Sequence, residues 1–138
     1  IDKFIKNGKP VLGICLGFQI LMKSSNEFSL NNGLSIFNHK VLNLDFKSRT
    51  HIGFNKIYCK KKMKLLKNIK NKTFYFLHSY GVKSLKLPNY FNIGLTKYEN
   101  KNFISIIEYK NIYATQFHPE KSGEQGLKLL KNFVEYCK

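Results

Sequence analysis

The stretch that most constrains this chain is PVLGICLGFQILM, Pro10 to Met22. Val11 to Ile14 is apolar but for one Gly, as expected of a short buried parallel strand. Cys15 follows, with Gly13 and Gly17 two residues to either side, and Phe18, Ile20, Leu21 and Met22 then recur at helical spacing. Strand, sharp turn and helix, with a nucleophile type at the turn, is the layout of the nucleophile elbow G-x-S-x-G, with Cys in place of Ser. A strained turn brings neighbouring backbone close, so a Cβ at either flanking Gly is expected to clash. The sulfur would stand over a helix N-terminus, whose partial positive charge favours thiolate over thiol. The N–H of Leu16 would be free to meet an oxyanion. The same pentapeptide also suits a buried structural Cys in an ordinary strand–helix turn.

The 138 residues suffice for one domain with a single core. The chain opens on IDKFIKNGKP, which reads as the tail of a helix running into the elbow strand. The expectation is therefore that residues 1–138 form the C-terminal part of a single domain of a longer protein. The formal net charge of +16 invites a nucleic-acid reading. Its source argues otherwise: 23 Lys are scattered from Lys3 to Lys138 beside a single Arg, Arg49, with 15 Asn and one Ala. Residues with A/T-rich codons dominate, and the Arg fork that reads phosphates and bases is almost missing. Only Lys60 to Lys64 is a dense run. Cys15, Cys59 and Cys137 form no C-x-x-C and no even set, so neither zinc nor a disulfide framework is expected. Reduced thiols and a cytoplasmic location follow. No apolar run approaches the ~18 residues that span a bilayer.

The pattern along the chain predicts a surface loop over Ser24 to Gly33 and a strand over Lys40 to Phe46. THIGFN, Thr50 to Asn55, reads as a turn ahead of a strand from Lys56 to Cys59. Met63, Leu65, Leu66 and Ile69 have the spacing of a two-turn helix. Thr73 to Leu77 is strongly β-prone. Tyr90 to Tyr98 and Phe103 to Tyr109 suggest an antiparallel pair, and Ile112 to Phe117 a last strand that delivers His118-Pro119-Glu120. Leu127 to Cys137 closes the chain as an amphipathic helix. The fold class is α/β, a mixed sheet flanked by helices.

A thiol nucleophile needs a base, and the base needs an orienting group. Of His39, His51, His78 and His118, the last directly follows a predicted strand, and Glu120 lies two residues beyond it. Glu120 can hold the imidazole from behind, as the acid of a triad does. His39 reads as a surface residue.

Taken together, Gly13, Cys15, Gly17 and Gln19 with His118, Pro119 and Glu120 resemble the class I, triad-type glutamine amidotransferases, which carry G-x-C-x-G-x-Q and, roughly a hundred residues later, H-P-E. The resemblance implies a flavodoxin-like mixed sheet, with Cys15 as nucleophile, His118 as general base and acid, and Glu120 as orienter. It implies Cys15 Sγ close to one imidazole nitrogen and Glu120 on the other. Further motifs match in order: S-x-E at Ser25 to Glu27, HIGFN at His51 to Asn55, FYFLHSY at Phe74 to Tyr80, and ATQFHPEKSG at Ala114 to Gly123. Together they are similar to the glutaminase subunits of imidazole glycerol phosphate synthase, over nearly the whole chain from Lys9. That subfamily commonly has Trp where Phe54 stands, a second acid where Asn26 stands, and Pro where Thr50 stands.

Carried over, the resemblance implies that Gln19, Glu27 and the backbone at Ser79 and Tyr80 meet the α-amino-acid end of bound glutamine. Leu16 and Gly17 would line the substrate site. Phe54, Asn55 and Lys121 would face a barrel-shaped synthase subunit in a heterodimer. No cofactor or metal is implied. Family members also carry a Gly-rich oxyanion loop near their N-terminus, which these residues do not contain. The alternatives are a paralogue feeding ammonia to an enzyme that amidates a surface sugar, a non-catalytic partner-binding subunit, and a nucleic-acid module, which would need its Lys on one face.

Overall fold

The computed structural model describes residues 1–83 and 90–138. A short helix α1 (Asp2–Lys6) leads into strand β1 (Val11–Ile14), and helix α2 (Leu16–Ile20) follows Cys15. Strands β2 (Met22–Ser25), β3 (Asn31–Asn32), β4 (Phe37–Asn43), β5 (His51–Lys56), β6 (Tyr58–Cys59), β7 (Thr73–His78) and β8 (Tyr80–Lys83) come next. Beyond the undescribed segment lie β9 (Asn92–Tyr98), β10 (Lys101–Tyr109) and β11 (Ile112–Thr115), a 3-10 turn (Pro119–Lys121) and helix α3 (Gly123–Glu135).

The main sheet runs β1-β11-β10-β8-β4-β2-β3, with β9 on β10 and β6 on β9. It is mixed: β1 on β11 and β2 on β4 are parallel, and the other pairs are antiparallel. A separate two-stranded sheet joins β5 to β7 in antiparallel register, from His51 opposite His78 to Lys56 opposite Thr73.

β10 organises the sheet. Phe103 and Ile106 enter one core cluster, with Phe74, Phe76, Tyr113, Phe117 and Leu129, while Ile104 and Ile107 enter a second, with Phe18, Val41, Val82 and Ala114. Strict alternation would put residues 104 and 106 on one face. The register shifts between Ile104 and Ile106, and that bulge moves the second half of the strand by one residue. Its extra residue, Ser105, is fully buried; its hydroxyl donates to Gly94 O and accepts from Thr96, and its carbonyl accepts the N–H of Gln116.

Several expectations need correction. The helix after Cys15 ends at Ile20, because Met22 to Ser25 turns into β2 and pairs with β4. The stretch read as a surface loop therefore contains two short strands, and Ser24 is buried. The strand expected over Lys40 to Phe46 is Phe37–Asn43. THIGFN is not a turn: His51 to Lys56 is β5, and the strand expected over Lys56 to Cys59 reduces to Tyr58–Cys59. Residues 63–69 form successive turns, Lys67 N–H to Lys64 O and Ile69 N–H to Leu66 O, rather than a helix. Helices flanking the sheet are few and short, apart from the 13-residue α3. No helix among the described residues is long and apolar enough to cross a membrane.

Candidate active site

Cys15 sits where β1 ends and α2 begins, with φ 50° and ψ −101°. A side-chain-bearing residue rarely adopts that conformation, and such strain persists only where the surroundings hold it. Here the Cys15 N–H donates to Thr115 O at 2.7 Å, extending the β1–β11 ladder right up to the turn, and Gln19 N–H closes onto Cys15 O at 3.2 Å. The two flanking glycines differ. A Cβ on Gly13 would lie 2.6 Å from Gly17 O, so that position must be Gly. A Cβ on Gly17 would meet nothing within 4 Å, contrary to the clash expected on both sides.

β7 holds the two principal side chains from one edge. Residues 74, 76 and 78 and residues 75 and 77 direct their backbone groups to opposite edges, as alternation in a strand requires. On the free edge, Tyr75 O accepts the backbone N–H of His118 at 2.8 Å, and Leu77 O accepts the Cys15 thiol at 4.0 Å. Ser122 secures the join: Tyr75 N–H donates to its Oγ at 2.9 Å, and that hydroxyl donates to His118 O at 2.6 Å. His118 Nδ1 is 2.6 Å from Glu120 Oε1, as the H-P-E spacing led one to expect. The imidazole side chain is 16 % exposed and the carboxylate 46 %.

The thiol itself differs from expectation. Its hydrogen-bond partners are Leu77 O and, at 3.8 Å, the Nε2 of Gln116, not the imidazole of His118. Burial pushes the Cys15 thiol above its ordinary value, with the negative charges of Glu120 and Glu27 adding to the effect. The Leu16 N–H and Gln116 act in the opposite direction. A helix of five residues carries little dipole, so desolvation outweighs it.

Next to α2 lies a cleft of about 260 Å³, lined in part by Leu16, Gln19, Ser25, Glu27 and Phe28. The half-buried Glu27 carboxylate on its wall suits a cationic group. Gln19 borders the cleft, yet its Nε2 donates inward, to Tyr80 O at 3.1 Å and Gln116 Oε1 at 3.3 Å. Ser79 joins its hydroxyl to that of Thr50 at 2.9 Å, and its carbonyl accepts from Leu44 N–H.

Behind β7, His51 and His78 form a buried pair, Nδ1 to Nε2 at 3.3 Å. Tyr80 O can only accept, so His78 Nδ1 carries the proton in their 2.9 Å contact and its Nε2 accepts from His51 Nδ1. Asn55 Nδ2 then donates to His51 Nε2 and to Lys97 O. Burial lowers both imidazoles to about 4, and each is neutral near pH 7. The Asn55 amide thus faces inward, whereas Phe54, on the opposite face of β5, is 63 % exposed. Ile52 and Leu77 are exposed beside it, and Tyr75 packs edge-on against Phe54 at 5.5 Å. Lys121 is exposed at the end of the H-P-E turn. His39 is half-buried rather than on the surface.

Residues 1–137 match the family model of class-I glutamine amidotransferases. The chain belongs to that family. It is 46 % identical over 132 residues to the imidazole glycerol phosphate synthase subunit HisH of Pyrococcus furiosus, covering 94 % of this chain and 66 % of that protein. The HisH subunit of Methanosarcina acetivorans is 44 % identical over 142 residues, with 99 % and 68 % covered. That of Aquifex aeolicus is 43 % identical over 136 residues, with 96 % and 64 % covered. The chain thus spans about two thirds of the length of these curated relatives. Among solved structures, one from Thermoplasma acidophilum superposes with a TM-score of 0.67 at 21 % identity, over 98 % of this chain and 61 % of that one. A glutamine amidotransferase from Thermotoga maritima gives 0.62 at 18 %, over 97 % and 50 %. At that identity the two structures establish the amidotransferase fold alone.

Within this amidotransferase chain, the residue that sequence reasoning missed is Gln116. Its signals were its place two residues before His118 and its presence within the ATQFHPEKSG match, neither of which gave it a role.

Proposed function

We propose that the protein carrying this chain hydrolyses glutamine to glutamate and ammonia, and passes the ammonia to a synthase subunit in histidine biosynthesis. The observation that carries this reading is the strained Cys15 elbow, held on the same edge of β7 as a His118 whose Nδ1 is bound by Glu120. The names and 43–46 % identities of the relatives favour the imidazole glycerol phosphate synthase partner over a sugar-amidating one.

In this mechanism, glutamine enters the cleft beside α2 with its ammonium group toward Glu27. His118 Nε2 takes the Cys15 proton, and the sulfur attacks the side-chain amide carbon. The Leu16 N–H donates to the resulting oxyanion. The imidazolium, held by Glu120, gives its proton to the departing nitrogen, and ammonia leaves a γ-glutamyl thioester on Cys15. Water, deprotonated by His118, attacks the thioester; glutamate departs and the thiol is restored. The resting bond from thiol to Leu77 O means that the sulfur must turn toward His118 before this begins. Ammonia would then reach a barrel-shaped synthase, which makes imidazole glycerol phosphate and an aminoimidazole ribotide. Ile52, Phe54 and Leu77 offer the apolar face for that heterodimer, the exposed Lys121 a charged contact, and a cytoplasmic location follows from the pathway.

The test is glutamate release by the full-length protein with and without its synthase subunit. Turnover should rise by about 10²–10³ on addition of the partner, the effect of one correctly placed oxyanion donor. Equal, full turnover by the isolated subunit would contradict the coupling, and absence of glutamate from the complex would contradict the activity.

A further inference from the structure

We propose that Gln116 is a further catalytic residue of this site, whose side-chain amide holds the Cys15 sulfur as its proton leaves, with Gln19 as the positioning residue that fixes the direction of that amide. The inference rests on the reading of Cys15 as the nucleophile.

Gln116 is fully buried, directly after β11. Its backbone is tied down by Gln116 N–H to Ser105 O at 2.9 Å, the bulged residue of β10. An amide in so apolar a place needs partners for both its ends. Among the described residues these are Gln19 on α2 and the sulfur of Cys15.

The direction of the amide follows from a fixed point. Tyr80 O can only accept, so Gln19 must turn its Nε2 toward it, at 3.1 Å. The other hydrogen of that nitrogen then points at Gln116, 3.3 Å away, and Gln116 must present its Oε1. Its Nε2 is left facing Cys15 Sγ at 3.8 Å, as a donor. Gly81 lies alongside: a Cβ there would press on Leu44 at 3.0 Å and make only ordinary contact with Gln116 Oε1 at 3.5 Å. Tyr80 O also receives His78 Nδ1, so the fixed point is itself braced by the buried histidine pair.

The chemistry distinguishes the two polar neighbours of the sulfur. The Leu77 carbonyl can only accept, so it holds the thiol and repels the thiolate. The Gln116 N–H can only donate, so its contact strengthens when the sulfur becomes charged. On proton transfer the sulfur loses its tie to Leu77 and keeps the one to Gln116.

The experiment measures alkylation of Cys15 by iodoacetamide against pH in the full-length protein, followed by mass spectrometry, with half-buried Cys59 as the reporter of an intact fold. No glutamine or partner is present, so the result stands apart from whether glutamine is the substrate. Gln116→Met should move the midpoint about one pH unit to the alkaline side and slow alkylation near neutrality by roughly tenfold. Gln116→Glu, which keeps the shape and replaces the donor by a charge, should move it further. Gln19→Met should give a smaller alkaline shift, because the Gln116 amide is then free to turn. The variants that keep Cys59 protected decide the matter: a wild-type midpoint in Gln116→Glu or Gln116→Met overturns the proposal, and a wild-type midpoint in Gln19→Met overturns the positioning role of Gln19.

Discussion

The backbone N–H of His118 donates to the carbonyl of Tyr75 at 2.8 Å, which makes the segment carrying His118 an extra partner of β7. Ser122 closes the same join by accepting from Tyr75 N–H and donating to His118 O. Ser122 is buried, so Ser122→Ala leaves the Tyr75 N–H without its acceptor, while His118 O keeps only the N–H of Lys121. A loss of about 1–3 kcal/mol is expected. Chemical denaturation should show it as a lower midpoint, together with a lower kcat and little change in KM, since no substrate group is removed.

Glu120 binds Nδ1 of His118, which leaves Nε2 for the proton transfers of the proposed mechanism. Glu120→Gln keeps the shape and removes the charge that stabilises the imidazolium. We expect kcat for glutamine to fall by roughly 10²-fold or more, with KM nearly unchanged. Steady-state kinetics on the assembled complex would check this, and a variant within twofold of the parent would exclude Glu120 as the orienter.

The pair His51 and His78 predicts how stability depends on pH. Both imidazoles fall from an ordinary 6.5 to about 4 on folding, because burial penalises their charged forms. The neighbouring groups pull both ways: His118 adds repulsion at His78, while Glu99 eases protonation of His51. A depressed histidine contributes stability that is complete above 6.5 and is lost as pH falls toward 4. The melting temperature should therefore drop through that window, and His51→Asn should flatten the drop. A flat profile between pH 7 and 4 would contradict the neutral pair.

The elbow glycines give a paired comparison. Gly13→Ala places a methyl group 2.6 Å from Gly17 O, against backbone that cannot move aside. Gly17→Ala meets open space in a helix, where Ala is favoured over Gly by about 1 kcal/mol. Thermal melts should show Gly13→Ala strongly destabilised and Gly17→Ala at or above the parent.

These positions also mark where the sequence was legible. The G-I-C-L-G spacing shows a sharp strand–helix turn because local sterics alone demand it, and His118 is visible because it ends an alternating run. The elements misread from the pattern are those decided by distant partners. Residues 63–69 have helical spacing, yet the buried Glu108 carboxylate takes the N–H groups of Lys64 and Leu65 while Asn132 takes the carbonyls of Leu65 and Lys67. Both come from more than forty residues away, and they hold turns instead. THIGFN contains Gly and Asn that suggest a turn, but its register with β7 makes it a strand. The ATQFHPEKSG match includes Gln116 without giving it a role, for the same reason: its meaning lies in Gln19 and Cys15, both about a hundred residues earlier.

The most direct test of the central claim treats the full-length protein with a glutamine analogue carrying an electrophilic side-chain carbonyl, then locates the adduct by peptide mass spectrometry. Cys15 alone should be modified, glutamine should protect it, and Cys59 and Cys137 should remain free, because only Cys15 sits at a strained elbow, next to the cleft residue Leu16 and on the β7 edge that also holds His118. Equal labelling of the three cysteines, or labelling of Cys15 that glutamine does not slow, would contradict it.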